Sequence, residues 1–182
     1  STTDILNIIE QQKVRVSNIF YLDILDLQQD YIAKNKPELG KISLHITGLI
    51  KLLTTSICTF SNEYISENDV FTSLKKEIKE NDNFNILTDE TLRTIIYDVN
   101  VNKLNNYLVD NTIDNICNLI SEFSTRYSNI ISDQDIYFIV RDISLISMAS
   151  EHIIKNIDLN VVSSGNLDIV SMMGQIDNYK KN

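Results

Sequence analysis

Residues 132–156, SDQDIYFIVRDISLISMASEHIIKN, decide the fold class of this chain. Ser132 followed by Asp135 has the form of a capping box, and about seven turns of helix can follow with no Gly or Pro to interrupt them. At 100° per residue, Ile136, Ile139, Val140, Ile143, Ile146, Ile153 and Ile154 share one broad side, which Phe138, Leu145 and Ala149 extend past half the circumference. Arg141, Ser144, Glu151, His152 and Lys155 occupy the remaining arc. A helix apolar over most of its surface is surrounded by other helices, so the stretch reads as the central element of an all-α bundle.

Composition agrees with that reading. The 182 residues are 43% hydrophobic and 23% charged, which is globular composition and enough chain for one domain with its own core. Four Gly and one Pro are too few for the many turns of an all-β chain. A net charge of −9 repels a phosphate backbone, and the longest basic runs are the pairs Lys75-Lys76 and Lys180-Lys181, so no nucleic-acid partner is expected. Cys58 and Cys117 stand apart inside apolar runs, without metal-ligand spacing, and read as buried free thiols of a reducing, intracellular compartment. No secretory leader and no uninterrupted apolar run of membrane-spanning length is visible, so a soluble chain with no membrane partner is expected.

Outward from the central stretch, the periodicity predicts seven to eight helices in a single domain over 1–182, with residues 1–36 peripheral. Asp4 caps a first segment and Ser17 a second, and Lys34-Asn35-Lys36-Pro37 forms a loop. A long helix is expected from Leu39 to Ile65, its core face carrying Ile42, Ile46, Leu49, Leu53, Ile57, Phe60 and Tyr64. Ser66 caps a helix with Val70, Phe71, Leu74 and Ile78, and Thr88 starts another that reaches Ile95, Ile96 and Val99. From Leu104 to Tyr127 the apolar positions Val109, Ile113, Ile116, Ile120, Phe123 and Tyr127 step by fours and threes, ending at Ser128-Asn129. After the central helix, Leu167 to Ile176 forms a short last one.

Nothing in the sequence names a reaction. His45 and His152 are isolated, the acidic pairs lie at helix starts where the macrodipole accounts for them, and no metal-ligand or phosphate-loop motif occurs. Catalytic, cofactor-binding and metal-ligating residues are therefore assigned to none, and a non-enzymatic protein is expected. Asp142 is the odd residue, because it falls inside the apolar arc, where an unpaired carboxylate is costly. It pairs with a base or marks the edge of a groove.

The core of the central stretch, Asp142-Ile143-Ser144-Leu145-Ile146-Ser147-Met148-Ala149, resembles the central hydrophobic helix of the poxvirus Bcl-like proteins that blunt host innate signalling. Val70 to Arg93, with Phe71, Lys75-Lys76, Asn81-Asp82, Phe84 and Thr88-Asp89-Glu90, is similar to the segment joining two conserved helices of that family. The resemblance covers under half of the chain. It implies a Bcl-like fold and a host-cytoplasmic antagonist of NF-κB, interferon or apoptotic signalling. Such a protein takes a host signalling protein or an amphipathic helix as partner, pairs with a second copy, and needs no cofactor. The groove expected on this reading has its floor at Ile139, Ile143 and Ile146, Asp142 at its edge, and one wall at Phe71, Leu74 and Ile78.

Two other readings stand beside it. Phe60-Ser61-x-x-Tyr64 is echoed by Phe123-Ser124-x-x-Tyr127, and Ser66-x-x-Asp69 by Ser132-x-x-Asp135. A long helix meeting a newly capped one, twice, is the form of an acidic tandem histone fold that pairs proteins or assembles transcription complexes. A viral structural or assembly protein would share the composition and expose large apolar patches.

Overall fold

The computed structural model describes residues 2–20, 25, 37–81, 84, 85, 88–131, 148, 151, 152 and 154–156. Among the described residues the chain is all-α, with five helices and no strand: α1 (Thr2–Phe20), α2 (Pro37–Ser61), α3 (Glu67–Glu80), α4 (Asp89–Lys103) and α5 (Asp110–Ile131). Seven to eight were expected. Most of residues 132–156 and all of 157–182 lie outside the described residues, and with them the expected last helix at 167–176.

The amino-terminal expectation needs correction. Ser17 does not cap a second helix; it lies buried within α1, which runs unbroken to Phe20. Ile5, Ile8, Ile9, Val16 and Ile19 stay in phase on one helical face, and no Gly or Pro intervenes, so nothing forces a break. Pro37 opens α2 instead of lying in a loop before it. The first position of a helix has no use for its N–H and tolerates the fixed φ of proline.

Helix α2 stops at Ser61, four residues earlier than its apolar pattern suggests, because Asn62 takes a left-handed φ of 53°. Tyr64 therefore leaves the expected core face and is exposed, whereas Ile65 folds back into the core. Its backbone N–H donates to Cys58 Sγ at 3.3 Å, and the thiol donates to the Ile65 carbonyl at 3.5 Å. Gly40–Ser61 is long and apolar enough to cross a bilayer by length and composition. The burial of Leu49, Leu52, Leu53, Ser56, Ile57 and Phe60 gives that apolar character a place in the core.

Helices α3 and α4 begin where their caps predict. Ser66 forms a full capping box with Asp69, and Thr88 accepts the Thr91 N–H at 3.3 Å. Leu104 to Val109, expected to be the first turns of a long helix, is instead the α4–α5 connector. Leu104 ends α4, and Asn105 and Asn106 both take left-handed φ values, 51° and 61°, which no α-helix accommodates. Helix α5 then starts at Asp110 and passes through Ser128-Asn129 without a break.

Helix α2 packs on α3, α3 on α4, α4 on α5, and α5 returns to α2, closing a ring of four. The polar contacts set the register. Lys103 meets Asp69 at 2.7 Å, while Asp98 accepts from Ser73 and Lys76 at 2.6 Å each, so α3 and α4 run antiparallel. Ser121 donates to Asp89 at 2.7 Å, Arg93 pairs with Asp114 and Tyr97 bonds Asp110, so α4 and α5 do too. Inside the ring Leu53, Ile57, Val70, Leu92, Ile96, Ile113, Ile120 and Phe123 are buried. Each fully buried aliphatic or aromatic side chain contributes about 1.5–3 kcal/mol relative to exposure.

The described end of the opening stretch reaches this core. Ile154 is fully buried within the cluster, and Glu151 bridges Lys51 of α2 at 3.0 Å and Lys155 at 2.6 Å. Met148, 64% exposed, and His152 face solvent. Enclosure of the remainder on several sides lies outside the described residues.

Candidate functional site

The core stripe of α2 is flanked, on the next face round the helix, by Ser43, Ile46, Thr47 and Ile50, spaced at threes and fours. On α3 the core stripe holds Val70, Ser73 and Leu74, and Glu67, Asn68 and Phe71 lie at its edge. These two flanks face each other across an open groove of about 460 Å³ lined by Ser43, Ile46, Thr47, Ile50, Glu67, Asn68 and Phe71. Its largest side chain, Phe71, is 47% exposed. Thr47 donates its hydroxyl to the Ser43 carbonyl at 2.8 Å, and such a self-satisfied hydroxyl leaves its methyl for contact. Glu67, in the first turn of α3, is the charged member of the lining.

The α3 wall of the groove is held firmly. Asp69 accepts from the Ser66 N–H at 2.9 Å, from the Ser66 hydroxyl at 2.6 Å and from Lys103. The Lys103 and Ser66 hydrogen bonds hold its carboxyl down at about 2. Partial burial pushes the Asp98 carboxyl up, but its bonds from Lys76 and Ser73 outweigh that and leave it below the ordinary carboxylate range. The Lys155 and Lys51 hydrogen bonds likewise hold the Glu151 carboxyl below its ordinary range.

These shifts predict acid sensitivity. A carboxyl whose pKa is lower in the folded chain takes up protons first in the unfolded one, so its stabilisation is whole above its ordinary pKa and is lost as pH falls through the folded value. The Asp69 contribution should be complete above about pH 5 and disappear between there and its folded value of about 2. Asp69→Asn should therefore lower the urea midpoint at pH 7 and flatten its decline between pH 5 and 3. A parallel decline in both proteins would assign acid lability elsewhere.

Of the residues expected to form a groove, Phe71 lines the observed one, Leu74 is closed in the core, and Ile78 is half-buried against it. Ile139, Asp142, Ile143 and Ile146 lie outside the described residues. The observed lining includes Ile46, expected to face the core, and also Ser43, Thr47 and Ile50, which sequence reasoning passed over. The signal that marks them is the pairing of Ile46 and Ile50, one turn apart, with the small polar residues Ser43 and Thr47 on the same flank.

Among the described residues no three His, Cys, Asp or Glu side chains gather as a metal site. Burial pushes the Cys117 thiol up to about 11, which leaves it a poor nucleophile, and burial also lowers the His45 imidazole. No protein-family model matches the chain, and no curated protein or solved structure does.

Proposed function

We propose that this chain is a non-enzymatic protein-binding module that takes an amphipathic helix of a partner protein into the α2–α3 groove. In the sense implied by its resemblance to the poxvirus Bcl-like proteins, it acts in the host cytoplasm as an antagonist of innate or death signalling. The observation that carries the reading is Phe71, an aromatic side chain left half-exposed beside Ile46 and Ile50 on a wall fixed by Asp69 and Asp98. Rigid aromatic anchors in apolar clefts are where binding energy concentrates. The partner helix presents aliphatic side chains at i, i+3 and i+4. Glu67 on the lining and the net charge of −9 favour a Lys or Arg on its flank. The mechanism is occupation, in which a helix held here is withheld from its own target.

Affinity capture from host-cell cytosol tests the reading. The wild-type chain should retain a specific signalling protein, and Phe71→Ala should weaken that complex about tenfold or more, the loss of roughly 1.4 kcal/mol or more of buried aromatic contact. Retention of the same protein at the same affinity by Phe71→Ala would place the site elsewhere. The tandem histone-like reading draws on the packing of α2 against α5. It predicts capture of transcription-assembly proteins, insensitive to position 71.

A further inference from the structure

The adjacent lysines of α3 have different fates. Lys76 is committed to Asp98 at 2.6 Å across the α3–α4 packing, as Lys103 is to Asp69 at 2.7 Å. Lys75 is exposed and makes no ion pair among the described residues, and the same holds for Glu67 and Lys79. The charges of α3 that its own fold leaves uncommitted therefore include these three.

All three fall on the groove flank. At 100° per residue Lys75 lies about 40° from Phe71 and about 20° from Asn68, between two residues that line the groove. Along the axis it stands one turn, about 6 Å, beyond Phe71, and Glu67 stands one turn before Phe71. Lys79 follows a turn later. The flank thus reads acid, aromatic, base, base at steps of four residues. The helix dipole accounts for Glu67 in the first turn of α3 and for Lys79 in the last. Lys75 lies in neither end turn, so that account does not extend to it.

A partner helix laid along this wall meets Glu67 and Lys75 about 12 Å apart, the rise of two turns. A helix with only aliphatic side chains would take water from both charges and give nothing back. One with a base and an acid two turns apart answers both, and a like charge at either place is rejected.

We infer that the α2–α3 groove selects a partner helix bearing an acidic and a basic residue two turns apart beside its apolar stripe, the acid held by Lys75 and the base by Glu67. The inference rests on the groove being a helix-binding site. It adds that Lys75 is a specificity-determining residue, which turns away helices basic along their whole flank despite the net charge of −9.

The probes are two fluorescent amphipathic peptides with leucines at i, i+3, i+4 and i+7. One carries Glu before the leucines and Lys after them; the other carries Lys at both places. Fluorescence anisotropy measures their binding to the full chain, to Lys75→Glu and to Phe71→Ala, in about 20 mM salt so that screening is weak. An exposed ion pair changes affinity up to about fivefold, and exchanging an attraction for a repulsion changes it further. The wild type should therefore bind the Glu/Lys peptide at least about fivefold tighter than the Lys/Lys peptide. Lys75→Glu should reverse that order, a gain for the Lys/Lys peptide that loss of fold cannot produce. Equal affinity of the two peptides for the wild type overturns the inference, and so does an order that Lys75→Glu leaves unchanged. If Phe71→Ala still weakens both peptides in those cases, the groove reading stands without the charge selection. Binding of neither peptide, or binding that Phe71→Ala leaves intact, overturns both.

Discussion

Replacing Asn100 with Ala should lower the unfolding free energy by about 2–5 kcal/mol, while Asn102→Ala two residues on should change it by less than about 0.5 kcal/mol. Asn100 is buried, and its side chain closes the α4–α5 connector: Nδ2 donates to the Leu108 carbonyl at 3.0 Å and Oδ1 accepts the Leu108 N–H at 2.9 Å. Leu108 is itself buried. Truncation strands both of its backbone groups away from water, and each stranded group carries its own desolvation cost. The connector also contains the left-handed pair Asn105 and Asn106, which must be held against their backbone preference. Asn102 is exposed, donating to the Asp98 carbonyl of its own helix, where water replaces it. Urea denaturation of the two variants decides the matter. Equal effects would show that the clamp contributes nothing.

Ile154→Ala should cost about 2–5 kcal/mol and Met148→Ala less than about 0.5 kcal/mol, although the two residues lie in the same stretch. Ile154 is fully enclosed in the core cluster, so removing three carbons leaves a cavity in the core. Met148 is mostly in solvent. If both substitutions prove harmless, the segment beyond residue 131 is not part of the cooperative unit, and the ring of α2 to α5 folds without it.

The helical class was legible in the sequence because apolar residues at threes and fours leave no other arrangement, and the cap chemistry of Ser66 and Thr88 located two helix starts. What misled was periodicity where backbone geometry overrides it. Val109 continues the stripe of Ile113, Ile116 and Ile120, yet it is exposed, because two left-handed asparagines before it end one helix and a new one begins at Asp110. Tyr64 continues the stripe of α2 and is likewise set outside by Asn62. An asparagine before a turn resembles an asparagine on a helix surface until the chain around it is placed.

The site was half legible. Phe71, Leu74 and Ile78 share one apolar stripe on α3, and a one-dimensional pattern cannot tell its buried centre from its exposed edge. Only the packing of α3 on α2 and α4 separates Leu74 in the core from Phe71 on the groove. For the same reason the pattern marks Ile46, which does pack against the core, only as a core residue and passes over Ile50.

The most direct measurement of the helix-binding groove is site-specific photocrosslinking in host-cell cytosol. A photoactivatable phenylalanine analogue is placed at position 71, and in a second protein at position 107, where the native tyrosine is exposed on the α4–α5 connector and is not among the residues lining the groove. The account predicts a discrete partner adduct from position 71 that is missing from position 107. The same adducts from both positions, or adducts from position 107 alone, would contradict it.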